Sequence, residues 1–294
     1  MDESVTTQPF LTARSAQQIG VPEWAHEMTD LHAHAAPSLL PRHGDDAATT
    51  SVERQLGFSI VVLKSHEGST VERAALAGPD VYGGVVLNSA MGGANPDAVE
   101  IAARLGGRIV WMPTVSSRTH KAGAASPELS VHRGFELRPV DVFEHGRLRP
   151  EWYDVLDVIA AHDLVLASGH LSADETASLF EEARRRRVDR LMVNHPKMAF
   201  LGWNDHARDR LLALGARLEL GILPDLLGAP ENASINLVDE YPRHLLVFGA
   251  DLGHADHPGP RDAVPTWLRA LEKRVGEQAA HTILGQNGRD LLLP

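Results

Sequence analysis

The sequence predicts an α/β chain folded as a (β/α)8 TIM barrel with parallel strands and an N-terminal extension. Three observations carry that expectation. Eight short apolar runs of strand character alternate with stretches of helical periodicity. No GxGxxG turn follows any of these runs, which favours a closed ring over an open doubly wound sheet. The length of 294 residues, 43% hydrophobic and 23% charged, suits one barrel around a fully buried sheet.

In chain order, residues 1–26 are polar, with a weak helical pattern over Ala13–Ile19 that stops before Pro22. They read as an extension packed outside the barrel, leaving 27–294 as a single domain. The strand-like runs are Met28–His34, Phe58–Lys64, Val81–Asn88, Arg108–Pro113, Leu164–His170, Arg190–His195, Ala216–Leu220 and Leu245–Asp251. Helical periodicity falls over Val71–Leu76, Pro96–Leu105, Trp152–Ala161, Ala173–Arg187, Asp205–Leu214 and Pro230–Tyr241. Asn95-Pro96 sets a capping side chain before a first-turn proline, and Ser172 to Glu175 form a capping box. Gly106-Gly107 and Gly215 stop helices. The long interval from Thr114 to about Pro150 predicts a βα loop with a small hairpin, Phe135–Phe143 reading as strand and His145-Gly146-Arg147 as turn. Loops of that length on a compact barrel are often functional.

Composition narrows the chemistry. There is no cysteine, so disulfides, thiolate metal sites and cysteine nucleophiles are excluded. A net charge of −11 argues against a nucleic-acid surface, and the basic run Arg184–Arg187 reads as a solvated helix end. No apolar stretch approaches the roughly 20 residues that span a bilayer. The expected setting is the cytoplasm and the expected partner a small-molecule substrate, with no nucleic acid and no membrane. Barrels of this kind commonly pair, so a homo-oligomer stays open.

The strand ends hold the strongest signal. The first run ends Asp30-Leu31-His32-Ala33-His34, the second Leu63-Lys64-Ser65-His66, the fifth Ser168-Gly169-His170 and the sixth Val193-Asn194-His195. The seventh carries Glu219 and the eighth closes on Asp251. Carboxyl ends of barrel strands form the active-site rim, so metal-ligand residue types recur where they could converge. Side chains two apart on a strand share a face, which lets His32 and His34 reach one ion. Imidazole and carboxylate donors suit zinc, and also manganese, iron, cobalt or nickel.

The set His32-Ala33-His34, His170, His195 and Asp251 resembles the amidohydrolase superfamily of metal-dependent hydrolases. So do Leu166-Ala167-Ser168-Gly169-His170-Leu171-Ser172, Val193-Asn194-His195-Pro196, Gly215 to Glu219, and the tail Ile283–Leu292. The likeness covers nearly all of 28–294 and extends to a group of functionally uncharacterised amidohydrolase-like proteins. It implies that His32, His34 and Asp251 hold the more buried metal. His170 and His195 then hold a second ion, or one of them completes a single-ion site. It also implies that Asp251 takes the proton from the attacking water and passes it to the leaving group. One departure concerns the lysine that, carboxylated, bridges two metals in dinuclear members, most often from the fourth strand. Here that strand ends without one, and Lys64 stands on the second. Lys64 is therefore a bridging carbamate, an unmodified cation that polarises the substrate, or a structural ion pair, and the count of ions is one or two.

Around this set, His66 follows Lys64 by two and is a ligand or a substrate contact. Glu219, between two leucines, either faces the pocket or forms an ion pair lower in the barrel. Arg42 either clamps a substrate carboxylate or lies on a mobile surface loop. Arg118, His120 and Lys121 suit an anionic substrate or solvent. His254 and His257 follow Asp251, where one stabilises a tetrahedral intermediate or both lie exposed. His26, His132, His145, His162, His206, His244 and His281 receive no role. The expected function is metal-assisted hydrolysis of an amide, cyclic amide or related carbonyl C–N bond, with esters or lactones as variants. Its rivals are a metal-dependent non-oxidative decarboxylase and a non-catalytic binding barrel.

Overall fold

The first apolar run is a strand, β1 (Met28–His34), buried along its whole length. A strand covered on both faces is what a near-continuous apolar run predicts. The computed structural model describes residues 20–227 and 232–293, so the helical pattern over Ala13–Ile19 lies outside the described residues. The further barrel strands are β2 (Phe58–Lys64), β3 in two pieces (Val81–Tyr82 and Gly84–Val86), β4 (Ile109–Trp111), β5 (Val165–Ala167), β6 (Arg190–Val193), β7 (Arg217–Leu220) and β8 (Leu246–Phe248).

All neighbouring pairs are parallel, in the order β1-β2-β3 and then β3-β4-β5-β6-β7-β8. The ring shuts between β1 and the segment just after β8, where Asp251 N donates to His32 O at 2.8 Å and His34 N to Leu252 O at 3.0 Å. The β1–β2 register slips between Asp30 and Ala33. Such bulges re-aim side chains near active sites, and here the slip lies beside the two histidines. Inside the ring, Leu31, Ile60, Val62, Trp111, Val165, Met192 and Val247 form a dry plug that Leu291 and Leu292 extend. A larger apolar layer packs the outer faces of the strands against the helices. The barrel is thus filled, and only its rim is available for chemistry.

One helix carried no expectation, and two local expectations are corrected. A helix, Asp46–Gln55, joins β1 to β2, capped by Asp45 accepting from Ala48 N at 2.8 Å. It lacks an apolar stripe, burying only Thr50 and Glu53. Phe135–Phe143 is not a strand. The long loop instead holds a helix (Arg118–Ala122), a 3-10 turn (Pro127–His132) and a small hairpin of Phe143–Glu144 with Arg147–Leu148. The span Pro230–Tyr241 is helical only over Leu237–Glu240 among its described residues. Among the described residues no helix is long and apolar enough to cross a membrane.

Candidate metal centre

His32 and His34 leave the end of β1 toward the ring's axis, and Asp251 comes to meet them just past β8. His32 Nε2 lies 3.0 Å and His34 Nε2 3.2 Å from the same Asp251 oxygen, Oδ1. One donor atom from each residue falls within 4.8 Å of the other two. Donors roughly 3 Å apart are what one ion makes when it binds each at about 2 Å. His32, His34 and Asp251 could therefore hold a metal ion.

Hydrogen bonding behind the rings supports this fit. His34 Nδ1 sits 3.0 Å from the carbonyl oxygen of Lys64. A carbonyl only accepts, so Nδ1 carries the proton and Nε2 of the neutral ring presents a lone pair. That lone pair faces Asp251 Oδ1, a second acceptor, and two acceptors at 3.2 Å repel unless a cation lies between them. Burial and the charge of Arg42 hold His34 well below the usual histidine range, so a proton is poorly retained there. On the other ring, His32 Nδ1 donates to Glu219 Oε1 at 3.0 Å. Burial pulls His32 down, yet the Asp251 and Glu219 carboxylates outweigh it and carry it up to about 9. The same pairing holds Asp251 well below the carboxylate range against its own burial.

Glu219 is fully buried beneath the rim. Besides His32 it accepts from His195 N at 3.0 Å and from Asn194 Nδ2 at 3.2 Å. Burial would push its carboxyl up, but the facing His32 ring holds it below the usual value. The expectation that Glu219 faces the pocket is thus corrected. It orients the ring of His32 from behind, as the outer partners of metal-binding histidines do. The Lys64 ammonium, also buried, lies 2.9 Å from His32 Nε2, and burial lowers its pKa against the pull of Asp251.

His170 and His195 stand beside this trio but outside its 4.8 Å circle. The His195 ring is 6.1 Å from that of His32 and 5.1 Å from that of His170. His170 Nδ1 pairs with His120 Nδ1 at 2.8 Å, the two rings stacked. Burial holds His170 well below the ordinary range and brings His195 to about 4, so both are neutral, the form that binds metals. His195 (φ 28) and Asp251 (φ 55) both occupy left-handed backbone. Non-glycine residues rarely hold that conformation outside sites that over-determine it.

Above the trio lies a narrow cavity lined by Arg42, Lys64, His66, Glu128, His132 and His254 as well as His34, His170, His195 and Asp251, with Leu40, Leu129, Met198 and Leu223 as its apolar wall.

The sequence signature of a family of unknown function, DUF6282, matches residues 27–219, well over half of the chain. The chain belongs to DUF6282. The matched region holds His32, His34, Lys64, His66, His170, His195 and Glu219, and Asp251 lies beyond it. No curated protein matches the sequence. Among solved structures, this DUF6282 chain is similar to a probable 2-pyrone-4,6-dicarboxylic acid hydrolase from Acinetobacter baumannii, crystallised with citric acid bound. Identity is 15%, coverage 90% of this chain and 99% of that one, and the TM-score 0.62. It is also similar to an amidohydrolase from Pseudomonas aeruginosa, at 12% identity, 94% and 98% coverage and a TM-score of 0.63. These likenesses establish that the DUF6282 chain shares the barrel fold of amidohydrolase-family proteins.

The remaining candidates divide. His66, Arg42 and His254 line the cavity. His120 is buried behind His170 and, like it, neutral, burial bringing it to about 4. Arg118 does not join them: its exposed side chain turns outward to Asp141, with Nε donating at 2.6 Å. Its cationic role at the substrate is corrected accordingly. Two cavity residues lacked a signal in the sequence. His132 points its Nε2 at His66 Nε2, 3.1 Å away, and Glu128 Oε1 accepts from Ala199 N at 3.0 Å. Both come from the 3-10 turn Pro127–His132.

Proposed function

We propose that this protein is a metal-dependent hydrolase that cleaves an amide, cyclic amide or related carbonyl C–N bond, esters and lactones belonging to the same chemistry. The observation that carries the reading is the convergence of His32 Nε2, His34 Nε2 and one Asp251 oxygen, two of them lone pairs with no proton to share. A divalent ion, zinc first among the candidates, supplies Lewis acidity toward a carbonyl and a lowered water pKa when bound. His32 and His34 would hold it, oriented by Glu219 and by the Lys64 carbonyl. Asp251 accepts the proton of the attacking water and returns it to the leaving nitrogen, a role open to the oxygen not turned to the rings. His170 and His195 are the donors available to a second ion. Leu40, Leu129 and Met198 keep bulk water from the reacting atoms.

Elemental analysis of protein purified without chelator is expected to find one or two equivalents of divalent metal. His34→Ala and Asp251→Ala should each lose the metal at the trio. In a panel of amides, cyclic amides and lactones, Asp251→Asn is expected to lower turnover by about 100- to 10,000-fold. Metal content untouched by both alanine substitutions would sink the proposal.

Lys64 adds a second expected result. An ammonium 2.9 Å from His32 Nε2 stands on the side of that nitrogen a divalent ion would take, and its charge opposes the ion's. Carboxylation of Nζ by carbon dioxide removes the conflict, since the carbamate is an anion. Crystals of metal-loaded protein should show density for the added carboxyl on Lys64. An unmodified Lys64 swung away from His32 would assign it to the substrate carbonyl instead.

A further inference from the structure

We propose that the substrate carries a carboxylate, and that Arg42 receives it on the cavity wall built from the loops after β1 and β8. The hydrolase reading fixes which end of the substrate faces Asp251; the subsite itself stands on separate observations.

The first is a cation without a partner. Arg42 lines the cavity, its Nε is buried, and among the described residues its guanidinium has neither a hydrogen bond nor an ion pair. Elsewhere on the molecule arginines are engaged: Arg73 with Asp46, Arg186 with Asp157, Arg210 with Glu181. The acids whose charge reaches Arg42 are Glu67 and Asp251. Glu67 is committed to Ser38 Oγ, Leu39 N and Ser65 Oγ. Asp251 is turned to His32 and His34. The cavity's other acid, Glu128, accepts from Ala199 N and Phe200 N. Among the described residues no carboxylate pairs with the guanidinium, and a desolvated cation without a partner is costly.

The second observation is rigidity. Ala255 N donates to Pro41 O and His43 N to Gly253 O, both at 3.0 Å, and Arg42 pairs with His254 as an antiparallel bridge. This stitch fixes the backbone of Arg42 against the loop that delivers Asp251, so the loop is not the free surface segment considered for it. A guanidinium so held offers a planar fork that matches a carboxylate, or a phosphate, in two parallel hydrogen bonds. Carboxylate is favoured because the one other lysine or arginine in the cavity, Lys64, is engaged with His32, and a phosphate dianion calls for a second free cation.

Calorimetric titration tests this with dicarboxylates from malonate to adipate, with neutral succinamide and with inorganic phosphate. The proteins are the full-length wild type, Arg42→Gln and Arg42→Lys, each as purified and after chelator treatment. At least one dicarboxylate is expected to bind while succinamide does not. Arg42→Gln should weaken it by about 10- to 100-fold, with Arg42→Lys in between, and the weakening should persist after chelation. Unliganded Arg42→Gln should melt no lower than wild type, because no native pair is lost. Failure of every dicarboxylate to bind overturns the subsite. So does binding that Arg42→Gln leaves unchanged, which would place the carboxylate on the metal and leave the hydrolase reading intact. Absence of metal before chelation, with Arg42-dependent binding retained, sinks the hydrolase reading and spares the subsite. Phosphate binding more tightly than any dicarboxylate, with the same dependence on Arg42, replaces carboxylate by phosphate ester.

Discussion

Glu219→Ala is expected to destabilise the protein by about 3–5 kcal/mol, the cost of breaking a buried ion pair on one side. The carboxylate is wholly enclosed, and it answers three donors: His32 Nδ1, His195 N and Asn194 Nδ2. Truncation leaves all three without a partner in a place water reaches poorly. Urea unfolding checks the size of the loss. The same variant should bind metal about 10- to 100-fold more weakly, since the ring of His32 loses the group that fixes its tautomer and angle; competition against a chelating dye reads that change. Glu219→Gln keeps the shape but turns an amide N–H toward a donor, and should fall between alanine and wild type. A Glu219→Ala protein with unaltered unfolding midpoint and metal affinity would show that the carboxylate supports nothing above it.

The second large effect is expected at Gly253. Its backbone sits at φ +133, and a Cβ added there would lie 2.0 Å from the carbonyl oxygen of His34. The clash is with main chain, so no rotamer change relieves it. The carbonyl belongs to the strand that Leu252 joins through the His34 N–H. Gly253→Ala is therefore expected to part β1 from the segment after β8, lowering stability by about 3–5 kcal/mol and weakening metal retention together. Gly276 provides the control. It also has positive φ, +79 with ψ 159, but nothing lies within 4 Å of its added Cβ, so alanine there should cost only backbone strain, about 1–3 kcal/mol. Thermal melts of the two variants side by side separate collision from conformation. Equal losses would refute the argument from close approach.

How much of this was legible in the residues depended on periodicity. His32 and His34 were readable because two-residue spacing on a strand fixes a common face, and Asp251 because it closes an apolar run. Glu219 was half readable. Its leucine neighbours place it on the inward side, but alternation carries no information about depth, and it lies below the rim rather than in the cavity. His132 and Glu128 were illegible, since a 3-10 turn inside a long loop has no repeat to say which side chains turn inward. The helix Asp46–Gln55 was hidden for a related reason: it covers the barrel with Thr50 and Glu53 instead of an apolar stripe. Arg118 shows the reverse failure, a cation in a promising loop whose acid, Asp141, comes from the far side of the same loop.

The trio at the rim draws two donors from the first strand and one from the residues after the last. An ion gripped there would act as a clasp between the two ends of the barrel's chain, so its capture must wait until the C-terminal part has been made and docked. Metal retention would then be a gauge of complete assembly, and stripping the ion should loosen the whole molecule rather than one corner of it.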